Sequence, residues 1–166
     1  MSEPVIVERP EQPYVAIRRR VTMQRFHEIA DRMPGLFGWL GQRGVAPAGA
    51  PFFRYVTVGD DGHMEVEAGV PVATTVDVEG EGDTVAGTLP AGRYASVTHI
   101  GHPDQLFDVT KHLLNWAADQ GLTWDMSESD EGEHWAARLE ILKTNPAEQP
   151  DPETWETEVA FKLANP

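Results

Sequence analysis

Apolar and polar residues alternate in short runs along most of this chain, and in two places the period lengthens to that of a helix. Residues 4–20 are rich in Val, Ile and Tyr and read as a strand, although Pro10 and Pro13 interrupt the run. Thr22 stands where a helix N-cap is expected. Met23, Phe26, Ile29, Ala30 and Met33 then fall at helical spacing. Pro34-Gly35 is read as an interruption, followed by a second helical piece over 36–43 that ends at Gly44. Two strands, 51–58 and 63–72, flank the turn signal Gly59-Asp60-Asp61-Gly62. Strands are predicted again over 83–89 and 93–101, around Pro90-Ala91-Gly92. A helix follows over 103–120, with Pro103 in its first turn and Gly121 at its end. Its apolar face carries Leu106, Val109, Thr110, Leu113 and Ala117. The last two strands are 134–142 and 155–163, separated by the acidic, proline-containing loop 143–154.

The order strand–helix–strand–strand therefore occurs twice, over about 5–75 and 83–163, within a single domain spanning 1–166. Landmarks repeat with it. Tyr14-Val15-Ala16-Ile17 matches Tyr94-Ala95-Ser96-Val97, and Trp39 and Trp116 each stand five residues before a helix-ending glycine. A unit with three strands and one helix covers one face of its sheet and leaves another bare. Two such units bury their bare surfaces against each other, and the junction forms a groove. The expected fold class is α+β, two strand–helix–strand–strand units related by a pseudo-two-fold axis with a central ligand groove.

In 134–142 the pattern alternates: Trp135, Ala137, Leu139 and Ile141 point one way, apolar enough to lie under a helix. Arg138 and Glu140 point the other way. If that second face meets bulk solvent, Glu140 is an ordinary surface charge paired with Arg138; if it lines the groove, Glu140 is a partly buried carboxylate.

Composition narrows the function classes. The 166 residues contain no Cys, which removes disulfides, thiolate metal sites and cysteine nucleophiles. Asp and Glu outnumber Lys and Arg by 27 to 13, for a net charge of −14. Such a field repels phosphate backbones and attracts cations, so direct nucleic-acid binding is not expected. No run approaches the ~20 apolar residues of a membrane span. The start, Met1-Ser2-Glu3-Pro4, has no secretory-leader pattern, and a cytoplasmic location is the default. His99, His102 and Asp104 are close in sequence but lack a further metal ligand. No cofactor or metal motif is present, nor a Gly-x-Ser-x-Gly nucleophile element.

Several stretches are similar to the GyrI-like small-molecule-binding family, which includes stand-alone proteins and the effector-binding domains of multidrug-responsive and AraC-type regulators. They are 89–94 (Leu-Pro-Ala-Gly-Arg-Tyr), Gly101, 116–121, 135–141 and Thr157-Glu158-Val159, with 51–55 and 65–72 in the first half. The similarity runs from Val5 to Leu163. It implies ligand binding between the halves and an acidic residue, at the position of Glu140, that neutralises cationic ligands. The chain departs from the family at Gly101-His102-Pro103-Asp104, where a tyrosine is common, and at the early Pro34-Gly35 break.

A buried carboxylate needs a partner, and a bound cation supplies one. Aromatic walls add cation–π attraction of about 1–2 kcal/mol when desolvated. Phe37, Trp39, Phe52, Tyr55 and Trp116 are the wall candidates, with Glu140 and Arg138 as the charged ones, while Trp135 reads as core. Three functions follow. The first is capture of a cationic or aromatic molecule, with any regulatory output passing through a separate regulator protein. The second, which the resemblance allows, is hydrolysis of strained cyclopropane-containing alkylators, with Glu140 as the catalytic base. The third is a protein-interaction module of the gyrase-inhibitor type. Nothing in the pattern demands a dimer.

Overall fold

The computed structural model describes residues 2–165; Met1 and Pro166 lie outside it. Its centre is a curled antiparallel sheet flanked on one face by helices, an α+β half-barrel. The strands are β1 (Val5–Arg9), β2 (Gln12–Thr22), β3 (Phe52–Val58), β4 (His63–Pro71), β5 (Thr84–Leu89), β6 (Gly92–Ile100), β7 (Met126–Ser129), β8 (Gly132–Trp135), β9 (Arg138–Leu142) and β10 (Glu156–Lys162). The helices are α1 (His27–Ala30), α2 (Met33–Gln42) and α3 (Leu106–Asp119). The sheet order is β1-β6-β10-β9-β3-β4-β2-β5, and the β7-β8 hairpin attaches to β3.

That order reads the same from both ends. β2, β4 and β3 form one half, β6, β10 and β9 the other, and the halves join where β3 pairs with β9. Each half's leading strand crosses to the opposite half, so that β1 pairs with β6 and β5 pairs with β2. The helix ends repeat as well. Gly44 and Gly121 both adopt φ +69°, which an L side chain rarely tolerates. Each closes the same motif: Val45 N–H donates to Leu40 O and Gly44 N–H to Gly41 O, as Leu122 donates to Ala117 and Gly121 to Ala118.

Three cores follow from the alternation. Val15, Ile17, Val66 and Val70 pack under Ile29, Leu36 and Leu40. Val97, Val159 and Phe161 pack under Val109 and Leu113 of α3. On the other face, Tyr14, Phe52, Tyr94, Leu139 and Ile141 form a core that contains no helix residue. Leu139 and Ile141 therefore do not lie under a helix, contrary to what the alternation in 134–142 suggests. The expected strand 134–142 is broken at Ala136-Ala137, which puts Trp135 in the α3 core and Leu139 on the opposite side.

Other boundaries also differ from expectation. Residues 4–20 are two strands, parted at Pro10-Glu11, because proline cannot donate to the ladder. The first helical region breaks at Asp31-Arg32, and Pro34 sits in the first turn of α2, where its missing N–H costs nothing. Thr22 makes no side-chain cap. No helix among the described residues is long and apolar enough to cross a membrane.

Candidate functional site

The seam between the halves builds the site. Across it Phe53 pairs with Glu140, Phe52 with Ile141 and Arg54 with Leu139. On the other side of β9, Leu142, Glu140 and Arg138 pair with Thr157, Val159 and Phe161. Because side chains alternate, Phe53, Tyr55, Arg138 and Glu140 all project toward the helix-bearing face. The helices cover the flanks of that face, α1 and α2 over β2 and β4, and α3 over β6. The seam is left open as the floor of a cavity of about 1570 Å³. One wall carries Phe26, Met33 and Phe37, and the facing wall carries Leu106, Phe107 and Leu114. Residues 143–147, from the acidic loop, form part of the rim.

The pairing places Phe53 and Glu140 as counterparts on the pseudo-axis. One half thus supplies an aromatic ring and the other a carboxylate at equivalent positions. The Tyr55 hydroxyl donates to Glu140 Oε1 at 2.8 Å. Phe26 stacks on the Tyr55 ring at 6.1 Å and meets Phe53 edge-on at 5.0 Å, which fixes the phenol in place. Desolvation pushes the Glu140 carboxyl above its ordinary value, and the Tyr55 bond and the Arg138 charge offset this only in part. Burial likewise holds Tyr55 well above a normal phenol, reinforced by the neighbouring carboxylate. Among the described residues Glu140 makes no direct ion pair.

Arg138 lies beside them on the floor. Its guanidinium rests against Phe161 at 4.7 Å, Trp135 at 5.1 Å and Tyr55 at 5.8 Å. Burial lowers its pKa, while Tyr55, Glu133 and Glu140 act to raise it. The arrangement can therefore receive an aromatic body between apolar walls and offer it a poorly neutralised carboxylate.

Of the residues singled out from the sequence, Glu140, Tyr55, Arg138 and Phe37 line this cavity together. Phe52 is on the other face, where its ring lies over Gly69 and meets Tyr14 at 5.3 Å. Trp39 packs half-buried at the edge of the first core, outside the cavity: its Nε1–H donates to Glu81 at 3.2 Å, and Arg43 stacks on it at 4.3 Å. Trp116 packs against the α3 core and does not line the cavity. Phe53, Phe26 and Met33 on the first half and Leu106, Phe107 and Leu114 on the second were not singled out, yet all line it. Strand parity carries a signal for Phe53. Residues 52 and 55 cannot share a face of one strand, whereas 53 and 55 must. His102 accepts from Asp104 N–H, and no group of His, Asp and Glu among the described residues is arranged to hold a metal.

The model of the GyrI-like small molecule binding domain matches residues 2–164. Among curated proteins, none matches the sequence. The solved structure of the EcmrR C-terminal domain superposes with a TM-score of 0.74 at 18% identity, covering 99% of this chain and 98% of that one. EcmrR in complex with DNA gives a TM-score of 0.77 at 19% identity over 99% of this chain, which spans 58% of that longer polypeptide. SAV2435 bound to tetraphenylphosphonium has a TM-score of 0.61 at 11% identity, over 99% and 95% of the two chains. A hydrolase from Listeria innocua has a TM-score of 0.63 at 10% identity, over 98% and 92%.

Proposed function

We propose a ligand-capture function for this chain, which belongs to the GyrI-like family of small-molecule-binding domains. Its ligand is an aromatic compound bearing a cationic group, held in the cavity between the two halves with its charge at Glu140. One observation carries this reading: at the floor of an apolar cavity, Glu140 is a desolvated carboxylate with, among the described residues, a single side-chain hydrogen-bond donor and no direct counter-ion. A bound cation supplies the missing partner, and Phe26, Phe37 and Phe53 supply flat apolar contact. The structure of SAV2435 with tetraphenylphosphonium lends support, because the same fold there holds a lipophilic cation. A regulatory output is compatible with this reading, because the same fold forms part of the longer EcmrR chain in its complex with DNA.

A thermal-shift titration with tetraphenylphosphonium and ethidium tests it. A ligand at 100 times its Kd stabilises by about 2.7 kcal/mol, a readily seen rise in Tm. Wild type and the control Glu148→Gln, which alters an exposed loop carboxylate, should respond alike, and Glu140→Gln should lose most of the effect. An equal response in Glu140→Gln refutes the assignment.

A second reading is hydrolysis of cyclopropane-containing alkylators, and the raised pKa of Glu140 favours it, since a carboxylate shifted toward neutrality is a better general base. Glu140 would take a proton from water as the oxygen attacks a ring carbon. The strained C–C bond would break, and its electrons would pass to the conjugated carbonyl oxygen, which then takes the proton. Detection of the water adduct with wild type, and its absence with Glu140→Gln, separates turnover from capture.

A further inference from the structure

Arg138 stands on the cavity floor beside Glu140, and the capture of a simple cation leaves it unexplained. Its side chain is 18% exposed, and it stands two residues from Glu140 on the same face of β9. Among the described residues it donates no hydrogen bond: Nε is buried without an acceptor, and the nearest carboxylate oxygen, on Glu133, is 3.8 Å away. The buried Arg54 differs sharply. Its Nε is also unpaired, but its terminal nitrogens donate to Tyr14 at 2.7 Å, Glu67 at 3.1 Å and the Ala136 carbonyl at 2.9 Å. Arg9, the third arginine with an unpaired Nε, is bonded to Glu158. Aromatic faces and the long 3.8 Å ion pair with Glu133 hold Arg138 in place, and among the described residues its N–H groups remain free to donate to an acceptor. A largely desolvated guanidinium whose Nε–H has no acceptor is costly, and a purely cationic ligand would leave that cost standing beside it.

Resting on the capture reading above, we infer that Arg138 is a specificity-determining residue and that the cavity selects zwitterionic aromatic ligands, with the cationic group at Glu140 and a carboxylate at the Arg138 N–H groups. The floor presents an anion and a cation of its own that do not bond to each other, and a zwitterion complements both at once. A guanidinium can hold a carboxylate through two parallel hydrogen bonds, which an ester cannot reproduce.

Rhodamine B and its ethyl ester test this, because they share a xanthene cation and differ in a free versus esterified carboxyl group. Fluorescence anisotropy gives the Kd of each for wild type, Arg138→Met, Arg138→Lys and Glu140→Gln, with circular dichroism checking the fold. Wild type should prefer the acid by about tenfold or more, the scale of one charge-assisted hydrogen bond. Arg138→Met keeps an unbranched stem between the rings and should abolish or reverse the preference. Arg138→Lys, with the charge but not the fork, should fall between. Glu140→Gln should weaken both dyes. If wild type binds both dyes equally and Glu140→Gln still weakens them, the selectivity inference is overturned while capture stands. A ratio unchanged in Arg138→Met overturns it too, even if Arg138→Lys does not fold. If wild type binds neither dye, capture falls and this inference with it.

Discussion

Replacing Tyr55 with Phe removes one oxygen atom and, with it, the donor that reaches Glu140 at 2.8 Å. The ring is 9% exposed and wedged by Phe26, so the Phe side chain fills the same space and the packing contribution is nearly unchanged. What remains is the hydrogen bond, whose worth depends on the state of Glu140. A bond to a charged group contributes about 1.5–3 kcal/mol and a neutral one about 0.5–1.5 kcal/mol. The sign follows from linkage. The folded-state pKa of Glu140 is raised, so its contribution to stability is fully present below the unfolded value and is lost as pH rises through the folded one. The Tyr55 bond opposes that loss because it favours the ionised form. Tyr55→Phe should therefore cost little near pH 4 and about 1.5–3 kcal/mol at a pH above the raised folded-state value of Glu140, where the carboxylate is charged, a fall in Tm of about 3–12 °C for a chain of this size. Urea unfolding of both proteins at the two pH values measures this. An equal cost at both, or a cost that shrinks as pH rises, refutes the coupling between Tyr55 and an ionised Glu140.

The other expectations are simpler. Glu140→Gln should raise stability by about 0.5–2 kcal/mol above the raised folded-state value of Glu140, because a desolvated charge is removed from the cavity floor, and the gain should vanish near pH 4 where the wild-type carboxyl is protonated; thermal unfolding across a pH series checks it, and a gain that persists at pH 4 contradicts it. Glu67 is fully buried on the opposite face, bonded to Tyr14 at 2.6 Å, Arg18 at 2.7 Å and Arg54 at 3.1 Å. Glu67→Gln should cost about 3–5 kcal/mol, chiefly by leaving the largely buried Arg54 without its carboxylate, and a loss below about 1 kcal/mol in urea unfolding would show that the network is dispensable. A Cβ at Gly69 would meet Phe52 Cζ at 2.6 Å, so Gly69→Ala should cost about 1–3 kcal/mol while leaving dye affinity unchanged, since Phe52 faces away from the cavity.

The duplication was legible because it is written in local chemistry. Gly44 and Gly121 each follow a helical run and close it in the same way, and an L side chain at φ +69° is strained whatever surrounds it. The α3 face of Val109, Leu113 and Ala117 was equally plain, since a 3.6-residue period leaves one stripe to bury. Glu140 and Arg138 share a face by parity alone. The broken strand at Ala136-Ala137 was not legible, because both halves of the run look extended and only the attachment of β8 to β3 shows where the ladder turns.

The sequence by itself determined the two repeats, the helix stops and the set of side chains that share each strand face, because these depend on backbone sterics and on periods of two and 3.6 residues. Tertiary structure alone decided which face the helices cover, because that follows from how β3 and β9 join across the seam. The same pairing buries Phe52 behind the sheet, brings Phe53 opposite Glu140 and delivers the Tyr55 hydroxyl to that carboxylate from 85 residues away. Whether a carboxylate is a surface charge or the floor of a cavity is set by what is folded over it, and no spacing along the chain encodes that.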